Sequence, residues 1–205
     1  MVDPFELHSY SHFTIGTLAI ITGAVGLTAL PFALLHFSLG RSFWRLDDAL
    51  VGLTALLSAG LAMVLFPDQR PLDPQLALIA FGLAIAGGFV AAFGAVLSIT
   101  ESASSFLAQL YISAGFALLG GWLFVLNWLA GPADAFPNGI ITVGLFTGAV
   151  MALGAAALPG IVMHADDERT APGISRYIAG AGSLGWSLVF PLWCIWLGRW
   201  MLSSG

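Results

Sequence analysis

The chain has 205 residues, 59% of them hydrophobic and only 8% charged, with a mean hydropathy of +0.94. A water-soluble domain carries about 25% charged residues, so six basic and eleven acidic side chains exclude a fully water-facing surface. The net charge of −5 also leaves no basic face for nucleic acid.

The N-terminus, Met1-Val2-Asp3-Pro4-Phe5-Glu6, has no basic n-region, so no cleaved signal peptide is expected. Uncharged segments follow at 13–38, 49–66, 75–99, 105–130, 139–163 and 176–200, the last carrying only Arg199 at its end. These runs are continuous, whereas barrel strands alternate apolar and polar residues. A helix needs about 20 residues to cross the hydrocarbon, so six spans are expected, the second of them short. The connections 39–48, 67–74, 100–104, 131–138 and 164–175 are short enough to make sequential helices antiparallel neighbours. The predicted fold is therefore all-α: one domain over 1–205, a polytopic membrane bundle of six transmembrane helices arranged as three hairpins.

Helix starts are marked by Asp3-Pro4, which opens the first helix near Pro4, by Asp73-Pro74, and by Pro137-Asn138-Gly139. Asp47, Ser104 and Ser175 are the expected N-caps of the other three. Pro31, Pro159 and Pro191 lie inside apolar runs and should kink their helices unless neighbours satisfy the freed carbonyls. Arg41, Arg45, Arg169 and Arg176 gather on one side, against Arg70 and Arg199 on the other. That bias predicts a cytoplasmic (inner) membrane protein with both termini outside. Trp122, Trp128, Trp193, Trp196 and Trp200 read as an interfacial belt on the outer side, and Trp44 as its inner counterpart.

Residues 14–56 align without gaps to 142–184. The identities include Thr14 with Thr142, Gly16 with Gly144, Gly26 with Gly154 and Ala29-Leu30-Pro31 with Ala157-Leu158-Pro159. His36 then pairs with His164, and Arg41 with Arg169. His and Arg are scarce in this chain, so their repetition points to duplication of the first and third hairpins as parallel repeats. One consequence is a paired site of His36, Arg41, His164 and Arg169 at the inner face, able to hold a haem, a metal or an anionic head group. The competing reading has these residues complement helix C-termini and anchor the interface.

His8 and His12 are one helical turn apart with Asp3 and Glu6 nearby, a spacing that can hold a divalent metal. As side chains at a membrane edge they need bind nothing. The run Asp166-Asp167-Glu168 reads as a solvated loop. Gln109, Ser113, Ala117 and Gly121 recur every four residues, as do Gly144, Gly148, Ala152, Ala156 and Gly160. Both ladders suit close helix packing, within the chain or with other membrane subunits or a second copy, and the alternative is a groove for a lipid or other hydrophobic ligand.

No charge falls at a span midpoint, which argues against proton or ion handling. No Ser stands in a Gly-x-Ser-x-Gly setting, Cys194 has no His in its segment, and no Lys exists to complete a phosphate loop. The expected function is a non-catalytic accessory or scaffold component that binds partner proteins, membrane lipids or lipid-like ligands. A carrier or pore for a small neutral or hydrophobic solute is the second expectation, and a redox subunit with its cofactor at His36 and His164 the third.

Overall fold

The computed structural model describes residues 4–39, 43–154 and 181–204, with side chains in the first helix described over 12–32. Among the described residues six helices follow one another: α1 (Pro4–Leu39), α2 (Trp44–Gln69), α3 (Pro74–Ile99), α4 (Ser105–Ala130), α5 (Asn138–Gly154) and α6 (Phe190–Ser204). A π-helical turn, Gly185–Val189, leads into α6. The described residues contain no strand. Five helical segments among them are long and apolar enough to cross a membrane: His12–Phe32, α2, α3, α4 and Ala181–Ser204. α5 is apolar over its 17 residues.

Local chemistry accounts for the boundaries. Asp73 caps α3 by accepting from the Gln75 and Leu76 amides, each at 3.0 Å, with Pro74 supplying the pre-set φ of the first turn. Ser104 accepts from the Leu107 amide and caps α4. The expected cap at Asp47 is incorrect. α2 starts earlier, at Trp44, with Phe43 at its cap and Asp47 in its first turn, where a carboxylate favours the helix dipole. α2 accordingly has 26 residues and is not a short span. Ser175 and Pro159 lie outside the described residues. α1 continues as helix through Pro31. At Pro191 the preceding π-turn widens the backbone where the ring would otherwise collide with the carbonyl four residues back.

Each helix packs against its sequence neighbour as expected, and α6 packs back against α1, closing the set into a ring. The crossings are made by small residues. A Cβ added at Gly87 of α3 would lie 2.6 Å from the Gly115 carbonyl oxygen of α4, and one at Gly88 would lie 2.9 Å from the Ala55 carbonyl oxygen of α2. Backbones therefore touch, as membrane helices require when no hydrophobic force drives them together.

α1 presents Gly16, Ile20 and Gly23 to α6, and α5 presents Gly144, Gly148 and Met151 to α4. Those are the same three positions of the aligned segments. The Gly144 ladder thus packs within the chain as far as Ala152, while Ala156 and Gly160 lie outside the described residues. The Gln109 ladder packs only in part, through buried Ala117. Gln109 is exposed and Gly121 meets only the Leu83 side chain, because α4 turns Ala108, Ile112 and Gly115 toward α3 instead.

Large side chains fill the interior. Trp122, Trp193, Phe116 and Phe190 are completely or almost completely buried in one cluster with Leu61, Leu119, Leu123 and Leu126. Trp122 and Trp193 are therefore core residues rather than members of an interfacial belt, and the Trp193 indole donates to the Ile140 carbonyl at 3.0 Å. Trp128 and Trp196 do face outward. Phe13, Ile21, Met63, Leu78, Phe89, Phe93, Phe146 and Leu153 are exposed along the outer surface, the inversion expected of a bundle bathed in hydrocarbon.

Candidate functional site

The two ends of the bundle differ. At the end formed by the start of α2 and the end of α3, polar side chains tie the helices together. Ser98 donates to the Asp48 carboxylate at 2.5 Å, both being buried, and Arg45 pairs with Glu101 at 2.8 Å on the surface. Asp48 lies in the second turn of α2. Composition did not reveal its burial, which depends on α3 bringing a hydroxyl to it.

Four buried hydroxyls inside the spans are satisfied by their own helix. Thr22 donates to Leu18, Thr54 to Leu50, Ser58 to Thr54 and Thr147 to Val143, all carbonyls one turn back at 2.7–2.8 Å. Asn127 is different: its amide nitrogen donates to the Leu123 carbonyl at 2.8 Å, while its Oδ1 is buried without a partner against Gly144.

The opposite end holds a cavity of about 560 Å³. Its walls come from His12 of α1, Leu65, Pro67, Asp68 and Gln69 of α2, Pro71 and Leu72 of the following turn, Leu126 and Ala130 of α4, Ala135 and Phe136, and Trp200 and Met201 of α6. Each is placed by a local cause. α2 stops because Pro71 cannot continue it, and the Gln69 carbonyl receives the Leu72 amide at 3.0 Å, which anchors residue 69 at the rim. Asp134, at φ 49°, reverses the chain after α4, and the Ala135 amide bonds the Ala130 carbonyl at 3.1 Å. That reversal brings Phe136 edge-on to Trp200, with ring centroids 5.7 Å apart. His12 precedes buried Ile15 by three residues and so shares its inward helical face.

Three polar side chains stand in this mainly apolar wall. Asp68 is exposed, His12 is half-buried, and Gln69 is 4% exposed with its amide nitrogen buried and unpartnered. An unpaired buried amide costs about 1–3 kcal/mol. Cavities of about 300–1,000 Å³ with a few polar groups in apolar walls are the usual form of small-ligand sites.

Of the expected site residues, His12 reaches this cavity. His8 lies one turn earlier on α1, with its side chain outside the described residues. His36 falls in the last turn of α1, again with its side chain outside them, and Arg41, His164 and Arg169 lie outside them altogether. Among the described residues, no three His, Cys, Asp or Glu side chains gather to hold a metal ion. Cys194 is fully buried in the core. Sequence reasoning passed over Asp68 and Gln69, because a polar triplet between Pro67 and Pro71 reads as an ordinary solvated turn. No protein-family model, curated protein or solved structure matches the chain.

Proposed function

We propose that this chain is a non-catalytic integral membrane protein that holds a lipid-like ligand in the cavity at one end of its helical ring, as an accessory or scaffold component. The observation that carries this reading is the cavity itself. It has an amphipathic wall at the depth where helices end, with half-buried His12 and exposed Asp68 standing among apolar side chains. Leu72 and Trp200 suit an apolar chain, and His12 suits a polar group beside it.

The Arg distribution supports the inner membrane, with both termini and the cavity on the outer side. Duplication of the first and third hairpins is supported by the matched packing faces of α1 and α5. The filled interior favours binding at this end over passage of a solute through the middle.

Mass spectrometry of solvent extracts from the purified protein tests the reading. Wild type should carry a stoichiometric amphiphile, and Ala130→Trp, which fills the cavity, should lose it while still unfolding cooperatively. Equal lipid content in both proteins would overturn the assignment.

A further inference from the structure

We infer that the cavity prefers an amphiphile whose head group ends in an ammonium cation over a neutral or anionic one; this rests on the ligand-binding reading above. The electrostatics of the wall carry the argument. Three helices line it with their C-terminal ends: α2 with Asp68 and Gln69, α4 with Ala130, and α6 with Met201. The first residues of α3 and α5, Pro74 and Asn138, are not part of the lining. The carbonyls at a helix C-terminus act as about half a negative charge. None of these three helices has a basic residue in its last turn to offset it. The cavity is therefore bounded by the negative ends of three dipoles.

Asp68 adds a full charge. It is exposed and stands in the wall itself, so a bound head group reaches it. Neither Arg70 nor Arg199 lines the cavity. His12 is half-buried in the wall, and a neutral imidazole offers an acceptor nitrogen. Trp200 completes the arrangement. Its ring is partly exposed, and Phe136 holds it edge-on with centroids 5.7 Å apart. An indole face attracts an ammonium group through the ring quadrupole. Dipole ends, carboxylate and ring face all favour a cation, and a head group ending in a carboxylate meets all three as repulsion. Pro71 and Leu72, both exposed, give the apolar tail a surface to follow.

The test uses the full chain in dodecyl maltoside micelles, immobilised and titrated with four probes of equal tail length: dodecylamine, dodecylphosphocholine, dodecanol and dodecanoate. Retained probe is counted against protein-free micelles. Dodecylamine should bind saturably and at least about fivefold more tightly than dodecanoate, the ratio that one charge pair at about 4 Å in water provides. Dodecylphosphocholine binding as tightly as dodecylamine assigns the ammonium to a phospholipid head group, and dodecylamine binding alone assigns it to a single-chain amine. Asp68→Asn should weaken the amine by about three- to fivefold and leave dodecanol unchanged. Trp200→Leu, which keeps an apolar wall, should weaken the amine by about two- to fivefold. Asp134→Asn is the control, because Asp134 is exposed and does not line the cavity. It should change neither affinity nor order.

Dodecanoate or dodecanol binding as tightly as the amine overturns the preference while leaving the ligand cavity intact. So does an Asp134→Asn effect equal to that of Asp68→Asn, which would trace the preference to net surface charge. Failure of all probes to bind while Ala130→Trp still loses its copurified amphiphile also overturns the preference alone. The same failure with equal lipid content in wild type and Ala130→Trp overturns both.

Discussion

Adding one methyl group to α3 should have opposite consequences at two glycines of the same helix. At Gly82, which is exposed, an added Cβ meets nothing within 4 Å. Gly82→Ala therefore only removes glycine's backbone entropy and should stabilise by about 0.5–1 kcal/mol. At Gly87 the same atom would lie 2.6 Å from the Gly115 carbonyl oxygen and 2.9 Å from the Leu119 amide nitrogen. Both neighbours are backbone, so no side-chain rotation relieves the contact and α3 must withdraw from α4. Withdrawal by about 0.5–1 Å forfeits a quarter to a half of the dispersion attraction along the crossing, and overpacking of this kind costs about 1–3 kcal/mol. The two variants should therefore be separated by about 1.5–4 kcal/mol. Their unfolding midpoints in the same detergent can be followed by the reaction of fully buried Cys194 with a maleimide. A Gly87→Ala protein as stable as Gly82→Ala would refute the backbone contact between α3 and α4, and with it the packing order of the ring.

Three further outcomes follow from particular contacts. Gly144→Ala should destabilise by driving a methyl group into the Asn127 carboxamide, and Asn127→Ala should rescue much of that loss. A double-mutant cycle with no coupling energy would separate the two residues. Trp193→Phe should cost about 0.5–1.5 kcal/mol through loss of the indole bond to Ile140, and denaturant unfolding at wild-type stability would show that bond to be without net value. Glu101, at φ 53°, occupies a left-handed position where the Ser102 amide bonds Leu97 and the Glu101 amide bonds Ser98. Glu101→Gly should stabilise by about 1 kcal/mol, because its ion pair with Arg45 is 61% and 64% exposed and such pairs contribute little. A lowered midpoint would mean that the ion pair outweighs the relief of strain.

Much of the architecture was legible in the linear order of residues. The caps at Asp73 and Ser104 are local hydrogen bonds to amides two or three positions ahead, so spacing alone identifies them. The antiparallel order of neighbouring helices follows from short loops. Asp47 failed as a cap because Trp44 and Arg45 can extend α2 toward the surface, where Arg45 finds Glu101 from a different loop. Trp122 and Trp193 failed as belt residues because a terminal position in a span looks the same whether the residue faces lipid or a neighbouring helix. The wall of the cavity was illegible for the same reason. His12 drew notice for its partner one turn away, yet the structure groups it with Asp68 and Gln69, about 56 positions along the chain.

By itself the sequence determined the all-helical character of the chain, the number and approximate limits of its apolar segments and the direction of each relative to the next. These rest on helical spacing, capping and the cost of placing unsatisfied backbone in hydrocarbon, all of which act over a few residues. Only the tertiary structure decided that α6 returns to α1, which glycines become crossings, that Asp48 is buried against Ser98, and that Gln69 keeps an unpaired amide beside a cavity. Those depend on which faces of distant helices meet, and one apolar face can meet another in many registers until the close packing of backbones selects a single arrangement.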